Sequence, residues 1–289
     1  MPVPLPLPVP LPTPTYVVVG HVARDVAPDA PDGYAPGGTA LYAALTARRL
    51  GVETGVLTSS TANFDRSVLE GAQVHLVPAA QATVFENRYG PDGRVQYLHS
   101  RAAELRPADV PAAWLAVPIL HLGPIADEVD PAIADLFPHA LRAATPQGWL
   151  RRWDGTGRVW PLGHDALMPR LPALDVVVLS EEDLAGDLDA VDAYRERVRL
   201  VVLTRGVHGA TVYAGKGVLH VPASPAVEQD PTGAGDVFAA AFLILYSRNR
   251  DLLGAMRFAA AAAACVVEGP GARTIPTLAR VEERLVVSR

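Results

Sequence analysis

Asp230-Pro-Thr-Gly-Ala-Gly-Asp-Val-Phe238 stands directly before an apolar run that reaches Tyr246, and this pattern predicts a helix beginning at about Asp236. Two glycines flank Ala234, so backbone N–H groups can converge on one point, and the helix N-terminus adds a positive dipole end there. Together these features make a pocket for an anion such as a phosphoryl group. Asp236 falls at the same spot. A carboxylate there can take a proton from a hydroxyl nucleophile while backbone donors hold the phosphate. A bare Gly-x-Gly with a following Asp is more often a turn and a helix cap. The length of the pattern shifts the weight toward chemistry.

The flanking chain alternates strands and helices. Tyr16-Val-Val-Val-Gly20 predicts a buried strand, Leu41 to Leu50 a helix with Gly51 after it, and Val52 to Thr58 a second strand. Such a unit implies a parallel sheet. Strands are also predicted at Ile119–Gly123, Asp175–Leu179 and Leu200–Thr204, with a helix over 131–144 and an alanine-rich helix over 258–267. Residues 82–89 and 94–99 flank Gly90-Pro-Asp-Gly93 and predict a hairpin. A second hairpin is predicted over 210–221.

Composition narrows the function classes. The chain has 289 residues, is 49% hydrophobic and carries a formal net charge of -6, which gives no reason to expect nucleic acid or an anionic membrane as partner. Its single cysteine, Cys265, excludes an intrachain disulfide and suits a reducing cytoplasm. No apolar run approaches the ~20 residues that span a bilayer. Prolines at every second position from Pro2 to Pro14 predict an extended tail over residues 1–14, leaving one domain over 15–289. The histidines His21, His75, His99, His121 and His220 show no metal-ligand spacing. Asp127-Glu128 follows a strand and could face phosphates, or be a solvated loop.

The 230–238 segment matches the second signature of the PfkB, or ribokinase-like, carbohydrate kinase family, and the resemblance runs from about residue 16 to 284. It implies a three-layer α/β/α sandwich with a mostly parallel central sheet and a small β lid, formed by about 25–36 and 82–100. It implies an ATP-dependent kinase with Asp236 as catalytic base and Gly233, Ala234 and Gly235 as anion hole. By the same resemblance, Asp25 and the Gly37-Gly38 pair bind substrate, and Thr204, Gly206 and Gly209 lie near the nucleotide phosphates with Gly233 and Gly235. Residues 256–273 line the adenine pocket. Magnesium is expected through water from Asp183, and a monovalent cation such as K+ at Asp230 and Thr232. Pairing of two copies through the lid is a further expectation.

Two departures bear on the substrate. Tyr42 replaces the Asn that bonds the sugar in ribokinases, and Ser180-Glu-Glu-Asp183 replaces the family's Asn-x-x-Glu. Residues 147–159, the Ser180 element and Asp230-Pro-Thr232 are similar to myo-inositol kinase-type members, which favours a cyclitol or related polyol. A hydroxyl-rich ligand needs several directional polar partners. Asp25, Asn87, Arg152 and Asp154 are the candidates, Asp154 also reading as half of a surface pair. The alternatives are a nucleoside kinase, with Tyr42, Phe85 and Tyr97 stacking on a base, and a catalytically silent sugar or nucleotide sensor.

Overall fold

The run Tyr-Val-Val-Val at 16–19 is buried on both faces, the condition a β-branched strand meets inside a parallel sheet. In the computed structural model, which describes residues 13–90 and 93–287, this strand is β1 (Tyr16–Val19). The first half of the chain continues with β2 (Ala23–Val26), β3 (Tyr34–Gly37), α1 (Thr39–Arg49), β4 (Thr54–Ser60) and β5 (Gln73–Pro78). It then forms β6 (Val84–Gly90), β7 (Gly93–Ser100), β8 (Ile119–Leu122) and β9 (Leu141–Ala144). The second half forms β10 (Arg151–Trp153), β11 (Val159–Pro161), α2 (His164–Leu167), β12 (Val176–Ser180), α3 (Ala190–Arg195) and β13 (Leu200–Thr204). It closes with β14 (Ala210–Ala214), β15 (Gly217–Val221), α4 (Ala234–Asn249), α5 (Leu252–Val266) and α6 (Leu278–Val287).

Among the described residues the central sheet has nine strands in the order β15-β14-β13-β12-β9-β8-β1-β4-β5. Every pairing from β5 across to β13 is parallel, and β14 and β15 add an antiparallel edge. One face buries Tyr16, Val18, Val178 and Val202 against α1, α4 and α5. The other buries Val17, Leu120, Val177 and Val201 against Phe137, Trp149 and Tyr194. This alternation gives the three layers of an α/β/α sandwich. Helix α5 carries small residues, with Ala259, Ala261 and Ala262 wholly or almost wholly buried, which lets it pack tightly on α4. No helix among the described residues is long and apolar enough to cross a membrane.

A separate four-stranded sheet, β3-β2-β6-β7, stands beside the carboxyl ends of the central strands. Ala23, Phe85 and Leu98 seat it on Ile125 and Ala126. Both expected hairpins are present as β6–β7 and β14–β15, although Pro91 and Asp92 of the first turn lie outside the described residues. The proline-alternating stretch also lies outside them, except for Thr13 and Pro14.

The helix expected over 131–144 is not formed. Residues Pro131–Leu136 make a short 3-10 turn and Leu141–Ala144 form β9, in the middle of the central sheet. Pro131 suits a helix start, but Pro138 in the middle of the span removes a donor and prevents a continuous helical hydrogen-bond ladder. The remaining four residues are short enough to be claimed by the open edges of β8 and β12. Asp127 and Glu128 also resolve differently from a phosphate-facing pair. Glu128 is fully buried, and its carboxylate accepts the backbone N–H groups of His21, Ile125 and Ala126, while Asp127 pairs with Arg170.

Trp149 anchors the segment after β9. It is fully buried, and its indole N–H donates to the Val129 carbonyl at 2.9 Å. Urea unfolding of Trp149→Ala is expected to show a loss of about 3–5 kcal/mol. Trp149→Phe, which strands the Val129 carbonyl, should lose about 1–3 kcal/mol.

Candidate active site

Helix α4 begins at Ala234, two residues before the predicted start, so Asp236 sits inside the first turn. Gly233 precedes the helix in a left-handed conformation, with φ of 80°. The Tyr42 ring from α1 lies so close that a side-chain carbon added at Gly233 would be 2.2 Å from the ring. Only glycine meets both demands. Tyr42 is 3% exposed and clamps the turn against α1. Tyr42 therefore shapes the 233–236 turn as well as the cleft wall.

Burial pushes the Asp236 carboxyl up to about 6. A hydrogen bond with Thr39 opposes the shift, Asp183 adds to it, and the positive Arg151 opposes it. The dipole of α4 also favours the charged form, yet desolvation dominates. The result is a carboxylate that is ionised at neutral pH and still able to bind a proton.

Asp236 faces a cleft of about 720 Å³ between the strand ends and the small sheet. Asp25, Asn87, Arg94 and Gln96 enter it from the small sheet, Thr39 and Tyr42 from α1, and Thr145, Gln147 and Arg151 from the segment after β9. Gly37 makes room for Asp25, since a side-chain carbon there would lie 2.1 Å from the carboxylate. Burial raises Asp25 to about 6, offset in part by Arg94 and Arg151. Gln96 donates to Asn87 at 3.0 Å across the hairpin, which leaves the Asn87 amide N–H groups and the Gln96 carbonyl for a ligand.

Gly38, Asp183, Thr204, Gly206, Thr232, Ala234 and Gly235 line the same cleft, and Gly37 stands behind Asp25. Arg152 and Asp154 do not line it. Successive residues of a strand point to opposite faces, so Arg152 on β10 is exposed while Arg151 enters the cleft. Burial lowers Arg151 to about 10, with Asp183 opposing the shift, so it stays charged at neutral pH. Asp154 instead organises its own loop, accepting from Thr156, Arg158 and the Trp160 indole. The residues sequence reasoning missed are Arg94, Gln96, Thr39, Thr145, Gln147 and Arg151. For Arg151 the available signal was strand alternation next to the chosen Arg152.

One Asp183 oxygen accepts both the N–H and the hydroxyl of Ser180 at 2.8 Å, closing a tight turn at the end of β12. Asp230 ties two loops together, accepting from Thr232 N–H at 2.9 Å and from Gly271 N–H at 2.8 Å. Among the described residues no three His, Cys, Asp or Glu side chains gather closely enough to hold a metal by themselves.

A second pocket of about 350 Å³ continues from the first past Thr204, Gly206 and Gly235. Gly209, Val207, Pro225, Phe238, Ala260, Ala264 and Val267 line it, so its walls are chiefly apolar. The small side chains of α5 leave room for a flat group.

Comparison with known proteins matches residues 161–278 to the model of the pfkB family carbohydrate kinases. The chain is 30% identical over 255 residues to a fructokinase of Klebsiella pneumoniae, covering 78% of this chain and 82% of that one. The chain belongs to the PfkB family. It is also 28% identical to a cytidine kinase of Thermococcus kodakarensis, over 82% of this chain and 90% of the relative. A solved pyrophosphate-dependent kinase in the ribokinase family, complexed with a pyrophosphate analog and myo-inositol, has the same fold. Its TM-score is 0.77 and its identity 24%, over 93% of this chain and 99% of the other. This PfkB-family member is therefore a kinase, a phosphotransferase of the sugar and nucleoside kinase type.

The titration of the cleft can be read directly. Carboxyl carbon NMR of selectively labelled aspartate should place Asp236 and Asp25 at midpoints near pH 6. Both shifts are upward, so both groups are protonated below that pH and charged above it. Midpoints near 4 would show that solvent reaches them freely.

Proposed function

We propose that this kinase transfers the terminal phosphoryl group of ATP to a hydroxyl of a small polyol, with a cyclitol such as myo-inositol as the favoured acceptor. The observation that carries this reading is the placement of Asp236, with its raised pKa, in the first turn of α4, facing the cleft that also receives Asp25 and Arg151. Asp236 takes the proton of the attacking hydroxyl as general base. The backbone N–H groups of 233–236 and the dipole of α4 hold the negative charge spread over the transferring phosphoryl oxygens. Arg151, charged at neutral pH and half-buried in the cleft wall, adds a cation beside that path.

The apolar second pocket supports a nucleotide donor, because its walls suit an adenine ring and its open end meets the phosphate-side loop 204–209. Magnesium, which neutralises phosphate charge when bound, fits this donor set only loosely. Asp183 has one oxygen tied to Ser180 and would contact it through water. Asp230 and Thr232 sit beside the 269–273 loop, which supports a monovalent cation site there.

The alcohol lies under the small sheet, which acts as the lid and excludes water. Asp25, Asn87 and Gln96 supply directional partners for several hydroxyls, which supports a polyol. The structurally similar kinase with bound myo-inositol agrees with that choice. A nucleoside acceptor is the second reading, favoured by Phe85 and Tyr42 in the cleft wall and by the cytidine kinase relative.

A panel of cyclitols, sugars and nucleosides tests the reading, with ADP formation read for ATP as donor and orthophosphate release read for pyrophosphate as the alternative donor. Turnover is expected with ATP and a cyclitol. Turnover with pyrophosphate alone would overturn the donor, and a nucleoside preference would overturn the acceptor. Asp236→Asn should lower kcat roughly a hundredfold to ten-thousandfold. Arg151→Ala should lower kcat/KM at least about tenfold, corresponding to the loss of one charge-assisted contact. Arg152→Ala should leave it unchanged. The pH profile of kcat/KM should rise through about pH 6, because the base is inactive when protonated.

A further inference from the structure

A chain of buried side chains runs from the core of the sheet to the cleft. The Tyr16 hydroxyl lies 2.6 Å from Nδ1 of His121, and Nε2 of His121 lies 3.0 Å from the Thr145 hydroxyl oxygen. Tyr16 and His121 are fully buried on adjacent parallel strands, while Thr145 is 8% exposed and lines the cleft. The direction of these hydrogen bonds follows from what each end can reach. If Nδ1 carried the proton, the Tyr16 hydroxyl would accept, and its own hydrogen would be stranded in the core, a costly arrangement. If Tyr16 donates, Nδ1 accepts, Nε2 carries the proton, and Thr145 must accept it. Thr145 then cannot direct its own hydrogen at Nε2, and that hydrogen is free to turn toward the cleft.

His21 provides an internal contrast. Its Nε2 donates to the Ala103 carbonyl at 2.8 Å, so its Nδ1 accepts from the Thr83 hydroxyl at 2.7 Å. Thr83 in turn accepts from Ala102 N–H at 3.0 Å. That hydroxyl is spent on both sides, and its role is structural. Thr145 runs the other way: it accepts from its histidine, and its own hydrogen is left over.

We propose that the Tyr16–His121 pair turns the Thr145 hydroxyl hydrogen toward the cleft, where it donates to an acceptor oxygen of the alcohol substrate. This rests on the cleft being the alcohol site. The alcohol side is assigned because Thr145 lines the first cleft and not the apolar second pocket. It also shares the Gly123 surface with Thr39, the hydrogen-bond partner of Asp236. A donor locked in this way selects ligands with a lone pair at that point. Tyr16 and His121 act through Thr145 and are positioning residues.

The test has two parts on the full chain. Long-range proton–nitrogen correlation of histidine-labelled protein reads the tautomer without any substrate. His121 is expected as the Nε2–H form at neutral pH, and an Nδ1–H form overturns the proposal. Steady-state kinetics then use Thr145→Val, with Thr145→Ser as rescue and Thr83→Val as the structural control. Thr145→Val should raise KM for the alcohol roughly tenfold and leave KM for ATP unchanged. Thr145→Ser should return KM to within about threefold of the parent, with the residual loss that of one methyl contact. Tyr16→Phe frees the tautomer and should raise the alcohol KM alone, yet add little on top of Thr145→Val. An unchanged alcohol KM in Thr145→Val, a shift in KM for ATP instead, or fully additive losses with Tyr16→Phe would each reject it. If no alcohol is turned over, the kinase assignment fails while the tautomer still decides the hydrogen-bond direction.

Discussion

Desolvation of one carboxylate organises the site. Asp236 is placed where helix dipole, a Thr39 hydrogen bond and Arg151 all favour its charge, and burial still outweighs them. A freely hydrated carboxylate in the same turn would be a weak base at neutral pH. The surrounding elements each contribute to that burial. Tyr42 closes over Gly233, the small sheet stands over the cleft, and the strand ends form its floor. The helix that positions Asp236 is also one of the chief contributors to the core, through Phe238, Phe242 and Tyr246. The geometry of the proposed base and the packing of the core therefore rest on one element.

Electrostatic balance in the cleft follows from this arrangement. Asp25, Asp183 and Asp236 bring negative charge to one cleft, where the proposed phosphoryl donor would add more. Arg94 and Arg151 partly offset it. Both Asp25 and Asp236 have raised pKa values, so the repulsion they exert weakens as either takes a proton. Glu128 lies deeper and is committed to three backbone N–H groups, which hold the 125–128 loop that seats the small sheet.

Much of this was legible in the sequence where a local pattern coincided with a tertiary demand. The Gly-Ala-Gly-Asp segment works as a helix start in isolation, so its place at the strand ends was readable. The β-branched runs at 16–19, 175–179 and 200–204 could be nothing but buried strands. Residues 131–144 failed because a four-residue strand carries little signal of its own. Leu141–Ala144 becomes a strand only because β8 and β12 stand on either side. Arg151 was missed for a related reason. Two adjacent arginines look alike until a strand register sends one inward and the other to solvent. The hydroxyl of Thr145 could not be read at all, since its orientation depends on Tyr16, far away in the chain.

The contact between Gly37 and Asp25 has a consequence for how such chains diverge. The carboxylate occupies the volume that a methyl group at position 37 would need. A larger residue at 37 therefore requires the Asp25 carboxylate to move, whereas a smaller residue at 25 leaves Gly37 undisturbed. The coupling runs one way: a cleft that keeps the acid at 25 keeps the glycine at 37, while one that loses the acid leaves both positions free to vary.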